Sequence, residues 1–112
     1  MYSGEELERK IAEFLRILDA GATVYKFPDA VIVLEAYGFK GNWRAWLLVK
    51  KFRAGTIRAM KQVAEGFKGD ALYASTHDGR IRKHLLSFGF VEYYRQTLPD
   101  FTDYYLVLRR KI

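Results

Sequence analysis

His77-Asp78-Gly79 puts an imidazole next to a carboxylate and a chain-turning glycine, and it is the sharpest chemical cue in this sequence. Histidine exchanges protons near neutral pH, so a histidine at the C-terminal end of a strand is a candidate base for an amine substrate. The same triplet serves a plainer purpose if Asp78 caps the start of a helix. Glu35 is the second candidate. It interrupts the apolar run Val31-Ile32-Val33-Leu34, where a buried carboxylate is suited to take a proton. Pairing with Arg44 or Lys50 across a hairpin explains it equally well. The third cue is charge. Lysine and arginine outnumber aspartate and glutamate 19 to 13, and the net charge of +6 favours an anionic partner. The cations cluster at Lys50, Lys51, Arg53, Arg58 and Lys61, then at Arg80, Arg82 and Lys83, then at Arg109, Arg110 and Lys111. Nucleotide phosphates, a nucleic-acid backbone, an acidic protein surface and plain solvent are all compatible with such clusters.

Other chemistry is excluded by what the sequence lacks. There is no cysteine, so neither a thiol nucleophile nor a disulfide framework exists, and with two histidines a structural zinc site is not expected. No phosphate-binding Gly-Lys-Ser/Thr, no Gly-x-Gly-x-x-Gly, no serine elbow and no acidic cluster for magnesium is present. No apolar run reaches the roughly 18 residues of a membrane span, and no basic-then-apolar leader opens the chain. The expected setting is cytoplasmic.

The elements that position these residues follow from periodicity. At 112 residues, half of them apolar, a single domain over residues 1–112 is expected. Ser3-x-x-Glu6 is a capping box, and Leu7, Ile11, Phe14, Leu15 and Leu18 recur at helical spacing. Strands are predicted from Ala22 to Phe27, from Ala30 to Tyr37 and from Trp43 to Val49, with Gly38 to Asn42 as a hairpin connection. Ile57, Met60, Val63, Ala64 and Phe67 mark a helix from Arg53 to Phe67. A strand near Ala71 ends at His77, and a short helix carries Ile81, Leu85 and Phe88. Gly89 falls where a helix needs a left-handed terminal residue. Strands Phe90–Gln96 and Asp103–Arg109 close the chain. The resulting order is α-β-β-β-α-β-α-β-β, an α+β mixed sheet with helices on both faces.

The short helix closed by Gly89-Phe90 and feeding an aromatic strand resembles the end of the GNAT (GCN5-related N-acyltransferase) fold. There the stretch reads Asn-x-x-Ala-x-x-Leu-Tyr-x-x-Leu-Gly-Phe. The element order also matches that family, with its first strand missing. The resemblance implies an acetyl-CoA site at the helix that follows the third strand here, where the family carries Arg/Gln-x-x-Gly-x-Gly/Ala. The corresponding residues are Arg53-Ala54-Gly55-Thr56-Ile57-Arg58, with Thr56 and Arg58 at the two glycine positions. These six are the implied cofactor contacts, through backbone N–H groups and the helix dipole. Thr56 and Arg58 have side chains suited to a phosphate, and Arg58 is also large enough to fill the cradle. The family's tyrosine proton donor aligns with Leu85, which leaves Tyr93, Tyr94 or Tyr73 as substitutes.

The resemblance thus implies an acyl-CoA-dependent N-acyltransferase that moves an acetyl group to an amine. Its catalytic candidates are His77, Glu35 and Tyr93, and no metal is called for. Acetyl-CoA is expected in the gap between the Trp43–Val49 and Asp70–Ser75 strands. The alternative is a non-catalytic GNAT-fold module that binds a protein partner, as small phage-encoded GNAT-like proteins resemble this chain; its setting is a host cytoplasm or a virion. A nucleic-acid binder using basic clusters and Tyr93, Tyr94, Tyr104 and Tyr105 is the third reading. A free sheet edge makes a homodimer an expectation as well.

Overall fold

The computed structural model describes residues 4–5, 8–9, 12, 21–49 and 51–109. Leu7, Ile11, Phe14, Leu15 and Leu18, on which the opening helix was expected, lie outside them, as do Lys50, Arg110 and Lys111. Three antiparallel strands come first: β1 (Thr23–Phe27), β2 (Ala30–Ala36) and β3 (Asn42–Leu48). Helix α1 (Ala54–Gly66) crosses to β4 (Ala71–Thr76), which lies parallel to β3. Helix α2 (Gly79–Ser87) leads to β5 (Val91–Thr97) and β6 (Thr102–Arg109). The six strands form one sheet in the order β1-β2-β3-β4-β6-β5. Its single parallel pair is the one joined by a helical crossover, because parallel neighbours cannot be joined by a tight turn.

One face of the sheet carries the main core. Ile32 and Leu34 of β2, Leu72 of β4 and Leu106 of β6 pack with Met60 and Val63 of α1 and Leu85 of α2. Both described helices therefore cover this same face. Helices were expected on both faces of the sheet. On that second face Val33 and Leu48 are buried, with Val31 and Trp46 beside them. The apolar run in β2 is thus buried on both sides, as its lack of alternation implies.

Two local features shape the region after β4. Gly89 has φ of +101°, and Phe90 N–H donates to the Leu85 carbonyl while Gly89 N–H donates to Leu86. This left-handed closure lets the chain reverse directly into β5. Within β5 the register slips between Glu92 and Tyr94, leaving Tyr93 as the extra residue of a β-bulge. A bulge breaks the alternation of side chains, so Tyr93 and Tyr94 both meet Tyr105 on the second face.

Candidate functional site

The gap between β3 and β4 is the centre of the site. These strands pair only as Asn42↔Ala71, Trp43↔Leu72 and Arg44↔Tyr73. Beyond that point β3 follows β2 as far as Leu48, and β4 follows β6 as far as Thr76. A cavity of ≈ 80 Å³ sits where they part, walled by Ala45, Trp46 and Ala74 from the strands and by Met60, Ile81 and Leu85 from the helices. Its lining is almost wholly apolar, Ser75 being the exception. Leu85, at the family's tyrosine position, is buried in this wall and offers no proton.

A cationic groove lies beside the gap, between the first turns of the two helices. Arg53, Ala54 and Ile57 line one side, and Arg80, Lys83 and His84 the other. At α1, whose first turn holds no acidic residue, the leading N–H groups add to the positive potential, whereas those of Arg80 and Ile81 in α2 are taken by Asp78. Arg80 and Lys83 were not expected as members of this site. Their signal was the basic run after Gly79, whose i, i+3 spacing puts both on one helix face. His84 follows the basic run of α2 and lies in the same groove. Its ring is half-buried and stacked between Phe52 at 6.1 Å and Phe88 at 6.3 Å.

The other expected phosphate contacts lie elsewhere. Arg58 is exposed and lines neither the groove nor the gap, so it does not fill the cradle. Thr56 is fully buried. Its hydroxyl accepts from Arg53 N–H at 3.1 Å and donates to the Asp29 carbonyl at 3.5 Å, so the expectation that it meets a phosphate is corrected. Gly55 is needed for a different reason than the family motif implies. A Cβ there would lie 2.8 Å from the carboxyl carbon of Asp29, so a side chain at this position displaces that carboxyl from the start of α1.

The second face of the sheet gathers the titratable residues. Glu35, Arg44 and Tyr73 are consecutive partners across β2, β3 and β4, in the last row before the strands part. Glu35 Oε1 accepts from Arg44 Nε at 2.8 Å and from Trp46 Nε1 at 2.7 Å. The pairing of Glu35 with Arg44 across the hairpin is present, and it orients the carboxylate without deciding whether Glu35 takes a proton. The Arg44 guanidinium lies over the rings of Trp46 (4.5 Å) and Tyr37 (5.0 Å). From Tyr37 a chain of rings runs to Tyr73 (5.2 Å), then to Tyr93 (5.9 Å), and on to Tyr105 (6.4 Å). Burial pushes the Tyr93 phenol up, and the neighbouring Tyr37, Tyr73 and Tyr105 push it the same way. Tyr93 therefore holds its proton at neutral pH.

His77 does not join this group. It is exposed beyond the end of β4, with its ring 5.3 Å from that of Phe101. Four residues of strand separate it from Tyr73, about 13 Å along the chain. Asp78 is the helix cap that the plainer reading required, accepting from Arg80 N–H at 2.8 Å and Ile81 N–H at 3.4 Å. Among the described residues no cluster of histidine and carboxylates is suited to a metal, and no helix is long and apolar enough to cross a membrane.

No family model and no curated protein sequence matches this chain. Solved structures do. An acetyltransferase of the GNAT family from Bacillus anthracis superposes with a TM-score of 0.52 at 14% identity, over 72% of this chain and 58% of that one. The chain thus spans less than two thirds of that protein's length. The N-acetyltransferase PseH of Campylobacter jejuni, solved with acetyl coenzyme A, gives 0.63 at 17% identity, over 98% of this chain and 94% of that one. A spermidine N-acetyltransferase chimera from Vibrio cholerae and hSSAT gives 0.65 at 10% identity, over 96% and 76%. Sheet order, helical crossover and parted parallel strands agree with these likenesses, and the chain adopts the GNAT fold.

Proposed function

We propose that this protein is an N-acetyltransferase that moves the acetyl group of acetyl-CoA to an amine. The observation that carries this reading is the parting of β3 and β4 directly beside the groove of Arg53, Arg80 and Lys83. The residues present fit such a group. Three cations and a helix start suit a pyrophosphate, and the apolar gap suits the arm that carries the thioester. When bound, acetyl-CoA supplies an activated acyl group.

The protein's own residues supply position and proton traffic. Backbone N–H groups of β3 along the gap steady a carbonyl oxygen as it gains charge. The Glu35 carboxylate, fixed through Oε1 by Arg44 and Trp46, takes the proton that the attacking amine loses. The Tyr93 phenol, protonated at neutral pH as phenols are, would return a proton to the departing sulfur. His77 stands too far along β4 to share this work. A second reading, the non-catalytic binding module, rests on one observation. The Asp29 carboxyl lies against Gly55 and holds an anion at the start of α1, where a pyrophosphate is otherwise favoured.

Calorimetric titration with acetyl-CoA separates the two. The enzyme reading predicts micromolar binding, weakened at least about tenfold by Arg80→Glu, which reverses a charge in the groove. No binding at millimolar acetyl-CoA overturns it and leaves the binding module.

A further inference from the structure

We infer that the acceptor is an amine carrying an aromatic ring, seated on the wall formed by Tyr73, Tyr93, Tyr94 and Tyr105 with Glu35 at its end. The inference rests on the acetyltransferase reading and names the substrate class of that site. Four observations support it. First, the wall meets the gap: Tyr73 is in the last paired row of β3 and β4, and Tyr105 is the β6 partner of Ser75, which lines the cavity. Second, the rings are accessible, with Tyr93 and Tyr94 each about half exposed. Third, the β5 bulge turns two successive tyrosines onto this face, where a regular strand presents one. Fourth, the rings meet at steep angles, 63° between Tyr37 and Tyr73 and 90° between Tyr73 and Tyr93. Such a wall exposes edges and faces in alternation, the surface on which a further ring packs edge-on or offset.

Charge on this face argues against a polyamine. Several ammonium groups along one extended chain are held best by carboxylates spaced along the site, since a ring face adds a weaker attraction to each. On this face the strands offer two carboxylates, Glu35, whose Oε1 is held by Arg44, and Asp103 at the far end of β6. Among the described residues the cations over aromatic rings stand on Tyr37, Trp46, Phe52 and Tyr104, so the four wall tyrosines carry none. A single ammonium near Glu35 with a flat apolar body on the rings satisfies both features.

The test is ligand-observed NMR titration of the full chain with phenethylamine, hexylamine and spermidine. Phenethylamine is expected to bind at least about tenfold more tightly than hexylamine, the scale of a few ring contacts. Tyr93→Phe keeps that preference because the ring remains, whereas Tyr93→Ala and Tyr94→Ala each remove most of it. Thermal midpoints of the alanine variants establish that they fold, and Tyr94, being exposed, can be truncated without touching the core. Equal affinity for the two monoamines, tighter binding of spermidine, or a preference that survives both alanine changes overturns the inference. Acetyl-CoA is titrated separately into the same protein. Its binding without an aromatic preference sinks this inference alone. An aromatic preference without acetyl-CoA binding sinks the acetyltransferase reading and leaves an aromatic-amine surface.

Discussion

The two helix starts that border the cationic groove are built by different means. Helix α2 is capped by its own neighbour: the Asp78 carboxylate accepts the N–H groups of Arg80 and Ile81, so the instruction to begin sits within four residues. Helix α1 has no acidic residue in its first turn, and its cap residue is Arg53. Its start is closed from inside the helix by the Thr56 hydroxyl, and from across the sheet by the β1–β2 turn. One start is local and the other is tertiary. A local cap tolerates change nearby, whereas a tertiary one ties the α1 side of the groove to a hairpin 27 residues away.

The strongest way to break this comparison is Gly55→Ala. A methyl group at that position runs into the Asp29 carboxyl, which must turn away from the start of α1 to make room. The expected cost is about 1–3 kcal/mol in urea unfolding, the range for overpacking a closed contact. Asp29→Ala in the same chain should recover most of that loss, since it removes the atoms in the way. A non-additive double-mutant cycle establishes the contact, and strictly additive effects refute it.

The same contrast explains what could be read from the sequence. Asp78-Gly79, the apolar spacing of Ile81, Leu85 and Phe88, and the Gly89 closure are all short-range, and α2 formed where they predict. The order of elements along the chain from β1 onward followed from alternation and helical spacing. The residues around α1 were harder to read because one of their partners, Asp29, is distant in sequence. Thr56 has a hydroxyl suited to a phosphate, and only the fold shows that Arg53 and Asp29 occupy it. Gly55 matched a cofactor motif, but the contact that requires it is with Asp29. Glu35 was legible as one of two alternatives, because its Arg44 partner is fixed by hairpin register. The tyrosine wall was hidden by the bulge. Strict alternation puts Tyr93 and Tyr94 on opposite faces, and nothing local in Val91-Glu92-Tyr93-Tyr94 announces the slip.

A gentler perturbation tests the local start. Asp78→Ala removes the acceptor for two N–H groups of α2 and should cost about 1 kcal/mol, as helix caps generally do. The effect should stay within α2 and the strand that it feeds. Amide exchange should quicken at Arg80 and Ile81 while the first turn of α1 keeps its protection. Faster exchange at Thr56 and Ile57 in that variant is evidence that the two starts are coupled after all.

The smallest effect separates the starts by pH. Burial pushes the Asp78 carboxyl up, but the hydrogen bonds from Arg80 and Ile81 and the Arg80 charge outweigh it, and the group ends below its ordinary value. Glu92 is also lowered, chiefly by its hydrogen bond from Arg82 of α2 and then by that from Arg95. Both carboxyls therefore hold protons less readily in the folded chain than in the unfolded one. Above the ordinary carboxylate range both states are ionised, and the stabilisation is fully present. As pH falls, the unfolded chain takes up protons first, and the stabilisation drains away as pH drops through the lower folded values. The urea midpoint should thus decline below about pH 4.5, and Asp78→Asn or Glu92→Gln should flatten the decline. Gly55→Ala, whose defect is steric, should start from a lower midpoint and keep the acid slope of the parent chain. If the slope instead flattens in Gly55→Ala and persists in Asp78→Asn, the acid-sensitive anchor lies at the tertiary start, and the division between the two helices is wrong.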